Sequence, residues 1–531
     1  MKPAKNGWPD GSASKMMLFI AQSLREMLTP TSYESFRVST LDLKSRLIEL
    51  IVLTRDVSQE RVPPVSLEPA LKELKTSLSH DIVAEELLSN EIELFKLKWP
   101  ADIKLGAHIT ELERFLVSLT RKVDGAYTKS LQQKIIDLSV DAKDKEKIRS
   151  TLNIFCSNLI NEGYSRQHIL MQVENKFFSG DIKKIERRTL SSFFSTFDFR
   201  KRNYVVTVPV STNLASYIRK ISLTNFVVTK SDELDEGTKA SLQSRSLLTA
   251  HRYIQIKTSQ LDEYSALRFA NDALSSVVAM TYLGKKNVIL NWEQYGHIKK
   301  ERSRSGILLD LENIALQKHS PVLGRGLANT LKTQTKQILQ SFTTESTERV
   351  FNTINMASLS QTFPRPENQI ITLWSAIETL LSDPPRGTAR VVHYVDSLTP
   401  CICSKYVRRY LIGLFDDLRA NYPKHTKAFF RRGEFDQNID PYTNFTKLIF
   451  DPAMKGLHRQ FCEPLAQNPL ALYRLWKAEK NFNDPKSFLK SLEQHELRVR
   501  WQLHRIYRVR NHIVHSGQIP RFFGPDSSEH V

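Results

Sequence analysis

Close to the C-terminal end, the string Arg510-Asn511-His512-Ile513-Val514-His515-Ser516-Gly517 gathers a guanidinium, an amide and two imidazoles. Histidine exchanges protons near neutral pH. A guanidinium neutralises charge developing on phosphoryl oxygens through a planar fork of donors. Together these types point to proton transfer beside a stabilised anion. Val499, Leu503, Ile506 and Ile513 fall on one helical stripe, and Arg510 occupies that stripe between Ile506 and Ile513. A charge there is costly unless it meets a partner or a pocket. Asn511 and His515, at i and i+4, share a helix face, whereas Arg510 stands about 140° from His515. One helix therefore presents the set poorly, and two antiparallel copies about a twofold would assemble a shared cleft. An Arg and a His near a helix end also suit simple capping and an ion pair with an acidic residue such as Glu378. Arg-to-His spacings of this kind recur at Arg498/His504 and Arg505/His512, so context, not spacing, carries the signal.

Other chemistries find no footing. The chain has no Gly-x-Gly-x-x-Gly, no Walker-type Gly-Lys-Ser/Thr loop, no His-Glu-x-x-His and no Gly-x-Ser-x-Gly elbow. Gly324-Arg-Gly326 reads as a turn, and His504 lies too far beyond His495-Glu496 for one helical metal face. The four cysteines, Cys156, Cys401, Cys403 and Cys462, form no Cys-x-x-Cys pair, so a structural zinc is not expected. Scattered acidic residues could assemble a magnesium site, but no spacing points to one, and no metal or cofactor is expected.

The elements that must position the motif belong to a chain of 531 residues, 40% hydrophobic and 25% charged, enough for several globular domains. No stretch has the roughly 18 uncharged apolar residues of a membrane helix. The apolar patch Met16–Ala21 is too short for a secretory signal, and the sparse cysteines suit a reducing compartment, so a cytoplasmic protein is expected. Lys and Arg number 76 against 57 Asp and Glu, a net +19, which favours a polyanionic partner, nucleic acid first and anionic membrane surface second. Residues 361–531 hold 25 basic and 17 acidic side chains, so the excess reads as spread along the chain.

Along the chain the pattern predicts a mainly α protein with a mixed α/β middle region and a C-terminal helical bundle. Residues 1–14 read as a frayed terminus and 1–200 as a helical N-terminal region, with helices over Ala84–Phe95, Ile109–Val123, Asp144–Ile160 and Ser165–Phe178. The basic run Lys183-Lys184 and Arg187-Arg188 reads as a solvated helix face, with phosphate contact as the alternative. Residues 201–305 form the mixed region. Strands are expected at Tyr204–Val210, with Pro209 marking an edge or strand end, and at Ile221–Thr229, Tyr253–Lys257 and Asn287–Asn291. A helix over Asp262–Tyr282, closed by Gly284, would complete a βαβ-like unit. Lys299–Gly306 reads as a linker or exposed loop, and residues 320–531 as a helical domain cut by prolines.

With the elements placed, Ile506-Tyr-Arg-Val-Arg-Asn-His-Ile-Val-His-Ser-Gly517 resembles the closing helix of the HEPN superfamily. Leu373-Trp-Ser-Ala-Ile-Glu-Thr-Leu-Leu381 resembles an earlier helix of its Apea-like branch. The resemblance spans roughly residues 325–520. It implies a metal-independent endoribonuclease acting as a homodimer, of the kind that serves in anti-phage defence or as a toxin held by a regulatory or antitoxin partner. It assigns catalysis to Arg510, Asn511 and His515, with His512 as an auxiliary RNA contact or a solvent-exposed side chain. Glu378 would orient Arg510, or act only as a polar tether, and Trp374 reads as core. RNA supplies its own 2′-hydroxyl nucleophile, so cutting needs proton transfer and charge stabilisation but no metal. The alternatives are a non-catalytic HEPN module that holds nucleotide or RNA, and a basic scaffold in which the motif is accidental.

Overall fold

The computed structural model of the chain describes residues 15–30, 32, 41–99, 108–140, 144–179, 185–243, 252–280, 290–303, 305–310, 325–361, 363, 365–517 and 519–520. Among them are twenty-two α-helices and one small antiparallel sheet in the middle of the sequence. The protein is mainly α with a mixed α/β region. Two compact units form. The first combines residues 1–161, 173–194 and 320–531, and the second residues 162–172 and 195–319.

In the first unit, helical periodicity reads out directly. The helices run Ile82–Lys98, Ile109–Val123 and Lys145–Asn161, close to the expected spans. Leu112, Leu116, Leu119 and Val123 form the buried stripe of Ile109–Val123, while the acidic and basic residues between them face water. Caps follow local chemistry. Asp42 accepts a hydrogen bond from Ser45 N at 3.0 Å to begin Leu43–Ser58, and Asp81 accepts from Val83 N and Ala84 N to begin Ile82–Lys98. Pro441, Pro452 and Pro469 each occupy the first turn of a helix, where the missing N–H costs nothing. Arg187 and Arg188 open a helix on its solvent side, beside Asp137 and Glu186. Residues 1–14, Lys183-Lys184, Gly284 and Gly324 lie outside the described residues.

The second unit carries the sheet, in the order β2-β3-β1-β4-β5 with every pair antiparallel. The strands are β1 Arg202–Val210, β2 Phe226–Thr229, β3 Arg252–Gln260, β4 Tyr295–Lys300 and β5 Gly306–Asp310. Because β3 and β4 both run antiparallel to β1 on either side of it, they are parallel to one another. The helix Glu263–Met280 joins them, and Thr212–Ile221 joins β1 to β2 around β3 in the same way. These are two split βαβ crossovers, not the simple unit the sequence suggested. Both helices pack on one sheet face, where Val206, Val208, Ile254, Ile256 and Ile298 meet Leu214, Ile218, Leu267 and Leu274.

Several local readings change. Ile221 ends a helix, and the strand begins only at Phe226. β1 is central, so Pro209 marks a strand end and no edge; its carbonyl accepts from Glu293 N at 3.0 Å. The expected strand at Asn287–Asn291 lies mostly outside the described residues, and the strand that pairs with β1 starts at Tyr295. Lys299 and Lys300 end β4 and Gly306 opens β5, the two strands pairing as a hairpin, with Lys299 paired to Asp235 at 2.6 Å. Gly306 is required there: an added Cβ would stand 2.5 Å from the buried His297 ring.

Candidate active site at the end of the motif helix

One helix of 32 residues, Pro485–Ser516, carries the Arg510 motif. Asp484 caps it by accepting from Ser487 N at 2.9 Å, and Pro485 sits in its first turn. Gly517 ends it at φ +72°, donating its N–H to the Ile513 carbonyl at 2.7 Å, a conformation glycine adopts without penalty. The Ser516-Gly517 stop expected from the sequence therefore forms.

Two apolar contacts fix the rotation of this motif helix. Val499 and Leu503 pack against Val391 and Val395 of the helix Arg390–Cys403. Ile506, Val509 and Ile513 pack with Leu41 and with Ile370 of the helix Pro366–Leu380. Fully burying a side chain of this size contributes about 1.5–3 kcal/mol. Trp374, from Pro366–Leu380, is 1% exposed and lies 5.4 Å ring to ring from Tyr507, so it is a core residue as expected.

A buried ion network, absent from the sequence reading, holds the helix as well. Arg505 is 1% exposed and donates to both oxygens of Glu49, on the helix Leu43–Ser58, and to Glu73, on the helix Leu67–Leu78. Arg508 donates to Glu49 at 2.6 Å, and Arg46 reaches Glu73 at 3.3 Å. Burial alone would raise the Glu49 carboxyl, but the guanidiniums of Arg505 and Arg508 overcome it and hold it down at about 2. The readable signal was two glutamates set in apolar stripes, Glu49 beside Leu47, Leu50 and Ile51, and Glu73 beside Leu71 and Leu74.

Two residues beyond Arg508 the environment opens. Arg510 Nη2 donates to Glu378 Oε2 at 3.2 Å and Nη1 to Asn511 Oδ1 at 3.0 Å. The other oxygen of Glu378 accepts from Trp374 Nε1 at 3.1 Å. A core tryptophan thus fixes a carboxylate, which in turn fixes a guanidinium. Arg510 and Glu378 keep 23% and 27% of their side-chain surface exposed. Arg510 Nε is buried without a hydrogen-bond partner, so the hydrogens left to an incoming anion are on the Nη side. Arg510, Asn511 and Glu378 are brought together; the imidazoles are not joined to them.

His515 is exposed in the last helical turn and His512 is half-buried one turn earlier; neither ring makes a hydrogen bond among the described residues. The helix is unbroken to Ser516, so Asn511 and His515 do share a face and Arg510 points away from His515. His504, one of the comparison spacings, is different. Burial, with Arg508 and Arg500 nearby, lowers its imidazole to about 4. It is neutral at pH 7 and poorly suited to donate a proton.

Among the described residues no group of three His, Cys, Asp or Glu side chains is placed to hold a metal ion. No helix among them is long and apolar enough to cross a membrane. No family model, curated protein or solved structure matches the chain.

Proposed function

We propose that the protein is a metal-independent endoribonuclease of HEPN type, with its site at the C-terminal end of the motif helix. The observation that carries the reading is the oriented guanidinium: Trp374 holds Glu378, Glu378 holds Arg510, and Asn511 braces its other nitrogen. An arginine needed only to fill a surface position requires no such relay from the core.

In the proposed reaction the 2′-hydroxyl attacks the adjacent phosphorus and the P–O5′ bond breaks. The proton leaves O2′ and another arrives at O5′, giving a 2′,3′-cyclic phosphate and a 5′-hydroxyl. Arg510 neutralises the extra charge on the non-bridging oxygens. His515, exposed and unengaged, exchanges the proton. Asn511 positions, and His512 stands ready as an auxiliary RNA contact. Because Arg510 and His515 point apart on one helix, the complete site takes Arg510 from one protomer and His515 from its partner. A role in anti-phage defence or as a toxin in the cytoplasm, restrained by a partner protein, fits this chemistry.

Incubating the full chain with RNA in EDTA tests the reading. Fragments ending in cyclic phosphate are expected. RNA binding without cutting would indicate a non-catalytic RNA-binding module instead, and neither binding nor cutting would reduce the motif to an accident.

A further inference from the structure

The +19 charge is not evenly laid on the surface. Between Lys405 and Arg432 the sequence holds eight cations and only two acids, Asp416 and Asp417. This is most of the excess in residues 361–531, where the whole balance is 25 basic to 17 acidic.

The segment folds as the helices Tyr406–Asn421 and Pro423–Phe429, packed on one another. Tyr410, Leu414, Phe415 and Leu418 form the buried arc of the first helix, and Thr426 and Phe429 that of the second. Arg408, Arg409, Arg419, Lys424, Lys427 and Arg431 all stand outside those arcs and are exposed. None of the six makes an ion pair among the described residues. The two acids that might have balanced them are engaged elsewhere. Asp417 accepts from Arg474 at 2.7 Å, and Asp416 accepts from the Tyr442 hydroxyl at 2.7 Å. Arg432 is the exception among the cations: it lies 4.4 Å over the Phe429 ring and donates to Gln460.

Like charges held this close on two packed helices repel one another, a cost that a bound polyanion removes. The chemistry of the patch selects among polyanions. Four of the six free cations are arginines, which fork onto phosphate oxygens. No large hydrophobic side chain is exposed between Lys405 and Arg432, whereas a helix that lies on a bilayer needs an apolar face to insert. The patch is also tied to the motif helix. The Tyr406 ring stacks on His495 at 4.0 Å, and its hydroxyl lies 3.3 Å from Ser491 Oγ. From His495, Arg510 is about 22 Å further along the same helix axis.

We propose that the exposed face of Tyr406–Asn421 and Pro423–Phe429 binds the phosphate backbone of the RNA substrate, apart from the residues that cut it. The choice of RNA as the polyanion rests on the nuclease reading; the existence of a backbone-binding surface does not. The test uses the full chain with His515→Ala, so that cutting does not blur binding, and a fluorescein-labelled single-stranded RNA of about 20 nucleotides in EDTA. Replacing Arg408, Arg409 and Arg431 by Gln should weaken binding roughly tenfold or more at about 0.1 M salt. It should also reduce the slope of log affinity against log salt by about 2, near 0.7 per lost contact. The same charge removed as Lys96→Gln, Lys122→Gln and Lys134→Gln, from lysines that lie outside the patch and are each paired with a glutamate, should change affinity less than twofold. In the His515 wild-type background the arginine triple should raise KM for RNA and leave kcat near its starting value. Unchanged affinity in the triple overturns the proposal, as does binding to phosphatidylserine vesicles but not to RNA. Patch-dependent RNA binding by a chain that never cuts RNA supports the proposal while the nuclease reading fails.

Discussion

Arg505 and Arg510 sit five residues apart on one helix, and the fold treats them in opposite ways. Arg505 is 1% exposed and bonded to two glutamates from the N-terminal helices. Arg510 keeps 23% of its side chain exposed and meets a single carboxylate that is itself oriented by a tryptophan. The first arrangement engages all three guanidinium nitrogens with the protein, Gln502 included, and the second leaves donors toward solvent. Arginine in a helix stripe is therefore not one kind of evidence: what separates these two guanidiniums is how much of the fork remains unsatisfied.

The comparison predicts its largest effect at the buried end. Arg505→Ala leaves Glu49 and Glu73 buried with reduced compensation and should cost about 3–5 kcal/mol of stability, read as a fall in urea midpoint. Arg505→Met, which fills the space without a charge but strands the same two carboxylates, should not rescue it unless Glu49→Gln and Glu73→Gln accompany it. An Arg505→Ala protein as stable as wild type would erase the distinction between the two arginines.

Next in size is the open end. Arg510→Lys keeps the charge but loses the fork, so cleavage should fall roughly tenfold while the urea midpoint stays within about 0.5 kcal/mol of wild type. Glu378→Gln, which drops the charge and leaves one oxygen to accept from either Arg510 or Trp374 but not both, should give a smaller loss, about threefold to tenfold. A Glu378→Gln variant that cuts RNA as fast as the unaltered chain would show that the relay from Trp374 orients nothing of consequence.

How much of this was legible in the sequence depended on the range of the interaction. Ile109–Val123 and the Gly517 stop follow from 3.6-residue periodicity and from the left-handed preference of glycine, both properties of a few neighbours. Trp374 as core, and Glu378 beside Arg510, were readable because an aromatic and an acid sat in an apolar stripe. The partners of Arg505 were not, since Glu49 and Glu73 lie 456 and 432 positions away and nothing local pairs them. The split crossovers were hidden for a similar reason: alternation marks a strand, but strand order is decided by which edges meet. The charges of Lys299–Gly306 suggest a linker or an exposed loop; it is the loop, joining β4 to β5, and the pairing of Lys299 with Asp235 could not be read locally.

A smaller effect separates the two ends by pH. His504 has a folded value of about 4 against an ordinary 6.5, so unfolding in mild acid takes up a proton. Its contribution to stability is complete above 6.5 and is lost as pH falls toward 4. Glu49, held at about 2, adds a second loss below about 4.5. Urea midpoints should therefore decline from pH 6.5 downward, and His504→Gln should flatten the slope between 6.5 and 4 while leaving cleavage largely intact. An unaltered slope in that variant would remove His504 from the buried set.

The most direct test of the central claim sets Arg510→Ala and His515→Ala beside the wild-type chain in one RNA-cleavage assay in EDTA, with thermal melts of all three. The account predicts cyclic-phosphate products from wild type, a loss of about 10²-fold or more in each variant, and melting temperatures that scarcely move. It also predicts that a substrate carrying 2′-deoxyribose at the cut site resists wild type. Wild-type rates in either variant, or cleavage of the 2′-deoxy substrate, would contradict it.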